Sequence, residues 1–255
     1  MLMLFSSCDK NNNFNVFSIE DDKQLGLQVR DEIAGNPQEF PLLSLEEYPE
    51  AYAYLNNIVD KILVSEDVGY RDEFAWEVRI IDQDVLNAFA VPGGYIYVYT
   101  GLIKYLDNED DLAGVLAHEI AHVDQRHSTQ QLQKQYGIQI LLSVALGNDA
   151  GQLEQIAGAL AGNLAGLKFS RDDEREADRY SVHYLEETDY QCNAAFSFFQ
   201  KMLDNEEAGG TPAFLSTHPD PKERIADINA TADEIGCDKT PLAPASYQDF
   251  KNSLP

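Results

Sequence analysis

A chain of 255 residues, 44% of them hydrophobic, can bury one sizeable core or two small ones. Its 44 acidic residues outnumber 18 basic ones, for a net charge of −26, which argues against nucleic acid as a partner and against docking on anionic lipid through a basic face. The acidity is spread along the chain, as on a solvated surface, and does not form a tail.

Met1 to Ser7 is apolar and ends in two small residues before Cys8. That pattern looks like the end of a bacterial lipoprotein signal, with Cys8 as the lipid-bearing residue; the bland alternative is a disordered, fortuitously apolar start. On the lipoprotein reading the chain sits on the periplasmic side of a bacterial envelope and touches membrane only through that anchor. Asp9 to about Ser18 is polar and Asn-rich, a linker by composition. Residues 1–18 are therefore expected as signal remnant and linker, and residues 19–255 as one domain.

Leu25, Val29 and Ile33 predict a helix over Ile19 to Ile33, and a second runs from Pro49 to about Val64. Alternation predicts strands at Trp76 to Ile81, Leu86 to Val91 and, after the Pro92-Gly93-Gly94 turn, Tyr95 to Tyr99. A helix then runs from an Asp107 or Asn108 cap to near His127. Further helices are expected at Thr129 to Leu146, Gly151 to Leu167, Arg171 to Glu186, Asn193 to Leu203 and, beyond a Gly209-to-Pro212 loop, Pro221 to Ile235. The last opens with Asp220, Pro221 and Glu223 in a capping-box arrangement. The Ala- and Gly-rich stretch 151–167 predicts close helix packing. Neither Ile138 to Leu146 nor Leu153 to Leu167 is long and apolar enough to span a membrane. The sum is an α+β fold, mostly helical with a small sheet, and no internal repeat.

The helix after the sheet carries His118-Glu119-Ile120-Ala121-His122. Two imidazoles four residues apart project from one helical face and can hold one zinc ion, while Glu119 reaches a water that the ion activates. Such a pair predicts peptide hydrolysis with no covalent intermediate. By chance the string could be two ordinary histidines. But the chain has only five, and Leu112, Val115, Leu116, Ile120 and Val123 mark this helix as buried, where unpartnered imidazoles are costly.

Zinc in a hydrolase needs a third protein ligand. A histidine at 128 with glycine at 125 would supply one, but those positions are Ser128 and Gln125. His127, five residues past His122, would point roughly 140° away on a continuous helix and reads as a surface or helix-terminus residue. The cluster Arg171 to Asp178 is the remaining source. Glu174 and Asp178 share a face with small Ala177 and Ser181, but spacing favours Glu174 over Asp173 or Glu176 only modestly. Asp178, one turn on, could hydrogen-bond a ligand imidazole.

Four segments in this order resemble one family, the HtpX and BepA type zinc metallopeptidases, which also include the prenyl-protein proteases. They are Asn87 to Leu102, Leu116 to His122, Phe169 to Asp178, and Ser216-Thr217-His218-Pro219 with Arg224-Ile225. The resemblance covers about Ile19 to Ile235. It implies a gluzincin domain with one zinc ion on His118, His122 and Glu174, Asp178 in support, and His218 near the metal. It further implies a sheet edge near Gly93, Gly94, Tyr95, Ile96 and Tyr97, to which an extended polypeptide substrate adds by main-chain pairing. Backbone reading of that kind points to unfolded or misassembled envelope proteins. The transmembrane hairpin and the helical repeats carried by some members have no counterpart in this sequence.

His218 sits on a loop before a capped helix. It is expected either to donate to the developing oxyanion or to occupy zinc's open position and keep the enzyme latent. With Cys8 assigned to lipid, Cys192 and Cys237 are the remaining thiols, and an oxidising compartment predicts a disulfide between them. The rival class is a zinc-stabilised chaperone or binding module on the same scaffold, which the presence of Glu119 disfavours. A zinc-buffering protein would show His-rich tracts, and this sequence has none.

Overall fold

The computed structural model describes residues 7–8, 14–137, 150–162, 168–206, 213–218, 221–242 and 246–255. Several expectations touch residues outside that set: the signal at Met1 to Ser6, the start of the linker from Asp9, the helix over Thr129 to Leu146 beyond residue 137, the end of the Gly151-to-Leu167 helix, Pro219, and the Gly209-to-Pro212 loop with the Asp220 cap.

The chain opens with two-residue strands β1 (Ser7–Cys8) and β2 (Phe14–Asn15), paired antiparallel, then helices α1 (Ile19–Gly35) and α2 (Pro49–Ile62). Strands β3 (Glu77–Ile81), β4 (Ala88–Val91) and β5 (Tyr95–Tyr99) form a mixed sheet in the order β3-β5-β4. β3 runs parallel to β5 and β4 antiparallel to it. Helices follow: α3 (Thr100–Tyr105), α4 (Glu109–Asp124), α5 (His127–Tyr136), α6 (Ala150–Ala161) and α7 (Arg171–Glu186). The last are α8 (Ala195–Glu206), α9 (Phe214–Thr217), α10 (Pro221–Ile235) and α11 (Tyr247–Asn252).

Period-two alternation sends the strand residues to two cores. Val78, Ile80, Ala88, Ala90, Ile96 and Val98 meet the core built with α2 and α4. Ile81, Phe89, Val91, Tyr95, Tyr97 and Tyr99 meet the one built with α1 and α6. Helices on both faces explain why β4 and β5 are buried throughout. The strand order corrects the expected substrate edge. Tyr95, Ile96 and Tyr97 lie in the central strand, hydrogen-bonded on both sides, and the outer strands are β3 and β4. Gly93 and Gly94 form the β4–β5 turn, their carbonyls accepting from the Ala75 and Glu77 amides. A Cβ on Gly94 would stand 2.7 Å from the Trp76 nitrogen, at a φ of +91°.

Helix α4 is buried along almost its whole length. Asn108 caps it by accepting from the Asp111 amide at 2.8 Å. Its first three acids complement the helix dipole and also fasten distant segments. Glu109 accepts from the Tyr54 and Tyr190 hydroxyls, Asp110 from the Gln191 and Leu242 amides, and Asp111 from the Ser197 hydroxyl. Gly114 lets α8 close on this helix, since a Cβ there would lie 2.3 Å from the Ala195 nitrogen.

The polar stretch expected as linker up to Ser18 is built into the fold at its end. Phe17 is fully buried, and Asn15 donates to the Thr129 hydroxyl at 3.0 Å. Arg126, in the left-handed region at φ 61°, donates to Asp22 Oδ2 at 2.6 Å and to the carbonyls of Phe17 and Ser18. Composition alone hid one buried aromatic and one helix-capping serine. Cys192 and Cys237 are joined by a disulfide, with Cα atoms 6.2 Å apart, linking the approach to α8 with the end of α10. No described helix is long and apolar enough to cross a membrane.

Candidate active site

Helix α4 crosses α7, and the two supply most of the site. The small side chains of Ala177 and Ser181, both buried, share the face of α7 that carries Glu174 and Asp178. Ser170 and Asp173 form a capping box at the start of α7. Asp173 accepts there from the Ser170 amide at 2.9 Å, so its carboxylate is occupied at the helix end. Glu174, the next residue, turns inward.

His118, His122, Glu174 and His218 each bring one donor atom into a group whose members all lie within 4.8 Å of one another. His118 Nε2 is 3.0 Å from His122 Nε2, 3.4 Å from His218 Nδ1 and 3.5 Å from Glu174 Oε2. His122 Nε2 is 3.6 Å from Glu174 Oε1, and His218 Nδ1 is 2.9 Å from that same oxygen. Ligand atoms around a tetrahedrally held ion at bond lengths of 2.0–2.1 Å stand about 3.3 Å apart, so the spacing fits a metal. The chemistry agrees, because nitrogen lone pairs facing each other across 3.0 Å in a dry interior need a shared cation or proton. Glu119 Oε1 and Glu174 Oε2 are buried without a hydrogen-bond donor.

Glu119 Oε1 faces the group from the side, 3.5 Å from His218 Nε2. Burial lifts its carboxyl above the usual range, against the opposing pull of His218 and His118. Glu174 is held well below its usual range: burial pushes it up, but His218, Arg224 and His118 together outweigh that. Burial also drives His122 well below its ordinary value. His118 is raised to about 9, since Asp178 and Glu174 outweigh burial and the Arg224 charge.

Asp178 lies behind His118, its Oδ1 3.0 Å from His118 Nδ1. Arg224 on α10 grips Asp178 with two bonds of 2.7 Å and packs its guanidinium 4.1 Å from the centre of the Phe199 ring. Its Nη1 stands 2.8 Å from Glu174 Oε2, a charge contact whose angle falls outside hydrogen-bond geometry. Sequence reasoning gave Arg224 no role at this site. The short spacing from His218 to Arg224, which falls in the first turn of α10, was the available signal.

His218 follows α9 and stacks on Phe214 at 4.2 Å. The Phe214 amide donates to the Leu86 carbonyl at 3.0 Å, just ahead of β4. His127 stands at a helix terminus, one of the two places expected for it, but not at the surface. It is fully buried, with Nδ1 2.9 Å from His122 Nδ1 and Nε2 3.2 Å from Glu176 Oε2. The helix does not continue through it: α4 ends at Asp124, and the left-handed Arg126 turns the chain before His127 starts α5.

A lifted carboxylate beside a buried, metal-competent histidine pair is the equipment of a hydrolase of the metallopeptidase class. Residues 49–232 match peptidase family M48, and the chain belongs to that family. It is similar to the beta-barrel assembly-enhancing protease of Escherichia coli K12, 33% identical over 181 residues that cover 67% of this chain and 36% of that protein. The Yersinia pestis protein of the same name is 30% identical over 207 residues, covering 77% and 41%. The mitochondrial metalloendopeptidase OMA1 of Schizosaccharomyces pombe is 30% identical over 220 residues, covering 84% and 62%. In each case less than two thirds of the relative is spanned.

Proposed function

We propose that this chain is a zinc metalloendopeptidase that hydrolyses peptide bonds of unfolded or misassembled cell-envelope proteins. The convergence of His118, His122 and Glu174 donor atoms beside Glu119 carries this reading. His118, His122 and Glu174 would hold the ion, and Asp178 would orient His118 by accepting its Nδ1 proton. A zinc ion bound there supplies Lewis acidity to the scissile carbonyl and makes water nucleophilic near neutral pH. Glu119 accepts the proton of the attacking water and passes it to the leaving amine; its raised pKa suits both tasks.

An extended substrate would pair with β4, the outer strand that packs against α4. Of the two roles expected for His218, its position among the donor atoms supports the latent one: with His118, His122 and Glu174 it would hold the ion in the resting enzyme, and an arriving substrate would have to displace it. The names of the bacterial relatives, together with the lipoprotein-like run ending at Cys8, support an envelope location with a lipid anchor.

Chelation followed by metal return tests the reading. Cleavage of an unfolded protein should stop with chelator and return with one zinc equivalent, and Glu174→Ala should fail to hold that equivalent. Full zinc occupancy in Glu174→Ala, or cleavage indifferent to chelator, would contradict it.

A further inference from the structure

The two histidines of α4 have unlike partners behind them. His118 Nδ1 faces the Asp178 carboxylate, whereas His122 Nδ1 faces another imidazole, that of His127, at 2.9 Å. Both rings are buried, so one nitrogen of this pair must carry a hydrogen and the other a lone pair. The direction is fixed by the far side of His122. Its Nε2 looks into the donor group, 3.0 Å from His118 Nε2 and 3.6 Å from Glu174 Oε1, and must present a lone pair to an ion. A neutral His122 then has its proton on Nδ1 and donates it to His127 Nδ1. His127 in turn has its proton on Nε2, 3.2 Å from Glu176 Oε2, which accepts it. Every donor along this line meets an acceptor, and it ends on a carboxylate whose side chain is 23% exposed. Phe169 stacks on His122 at 4.0 Å and limits the ring's tilt.

From this geometry we infer that His127 is the positioning residue for His122, and that Glu176 fixes His127 in turn. The inference rests on the metal reading above. His127 selects the tautomer of His122 that offers Nε2 to the ion, the task that Asp178 performs for His118. Outer partners of metal-ligating histidines set ligand basicity and ring orientation, and losing one typically weakens metal binding about 10–100-fold. The left-handed turn at Arg126 brings the two rings together, because on an unbroken helix residue 127 would point elsewhere.

Zinc competition against a chromophoric chelator, on the full chain, is the test. His127→Phe keeps a ring and removes the acceptor, and zinc affinity should fall by about 10–100-fold. His127→Asn places an amide oxygen near the site of Nδ1 and should bind zinc close to the wild-type value. Glu176→Ala, at a partly exposed position, should weaken zinc by a smaller factor. Thermal melts of the metal-free variants check that each still folds. Wild-type affinity in His127→Phe would overturn the proposal. So would an equal loss in His127→Phe and His127→Asn, which would make the ring's volume the cause. If His127→Phe does not fold, unchanged affinity in Glu176→Ala overturns it. A wild-type protein with no zinc affinity would remove the metal reading itself, an outcome seen before any variant is made.

Discussion

At the scale of single residues, buried charge governs the site. Arg224 lies between two carboxylates, gripping Asp178 and touching Glu174, all three almost fully buried. Removing one partner from such a group leaves the others uncompensated, at a cost of about 3–5 kcal/mol. Arg224→Met should therefore lower the melting temperature of the metal-free protein, and zinc, by returning positive charge, should narrow the gap. Thermal melts with and without zinc read both effects; a variant that melts with the wild type would contradict the account. Asp22 offers a second test, remote from the metal. Burial raises its carboxyl to about 6 despite Arg126. A native group that holds its proton more tightly than the unfolded chain makes stability fall as pH climbs from about 4 to about 6, with no further change above. The melting-temperature advantage of wild type over Asp22→Asn should thus be largest near pH 4 and shrink by pH 6. The His118, Glu119, His122 set was legible in the sequence because helical spacing is local. Choosing Glu174 over its neighbours required contacts. Asp173 is consumed by the cap and Glu176 by His127, and only the Ser170-x-x-Asp173 pattern hinted at the first.

At the scale of elements, helices were readable wherever apolar spacing or a cap marked them, as in α1, α2, α7 and α10. Helices α3 and α11, six residues each, are too short to show a period. Strand order was not readable at all. Alternation tells which face a residue takes, but each strand is silent about its neighbours, so β5 was expected at the edge it does not occupy. The disulfide was inferable from thiol arithmetic, and it closes a span of 45 residues between the approach to α8 and the end of α10. A loop of that length is worth about 4 kcal/mol in the chain-entropy view. Cys192→Ser with Cys237→Ser should lower the urea midpoint accordingly, with the slope checked for a changed unfolded state. An unshifted midpoint, or free thiols in the unreduced protein, would contradict the bond's stabilising role.

At the scale of the whole molecule, a buried mixed sheet and two cores hold α4 against α7, α8 and β4, so that the donor atoms of His118, His122 and Glu174 all come from packed helices. His218 alone comes from outside that frame, on a segment tied to Leu86 next to the outer strand β4. The central claim is that this frame supplies metal-assisted hydrolysis with Glu119 as the proton carrier. The most direct measurement is cleavage of an unfolded protein by Glu119→Gln, with zinc content determined by elemental analysis on the same sample. The amide keeps the shape of the side chain but cannot take a proton, so the variant should hold zinc as the wild type does and turn over at least about 100-fold more slowly. Full zinc content with undiminished cleavage would contradict the account.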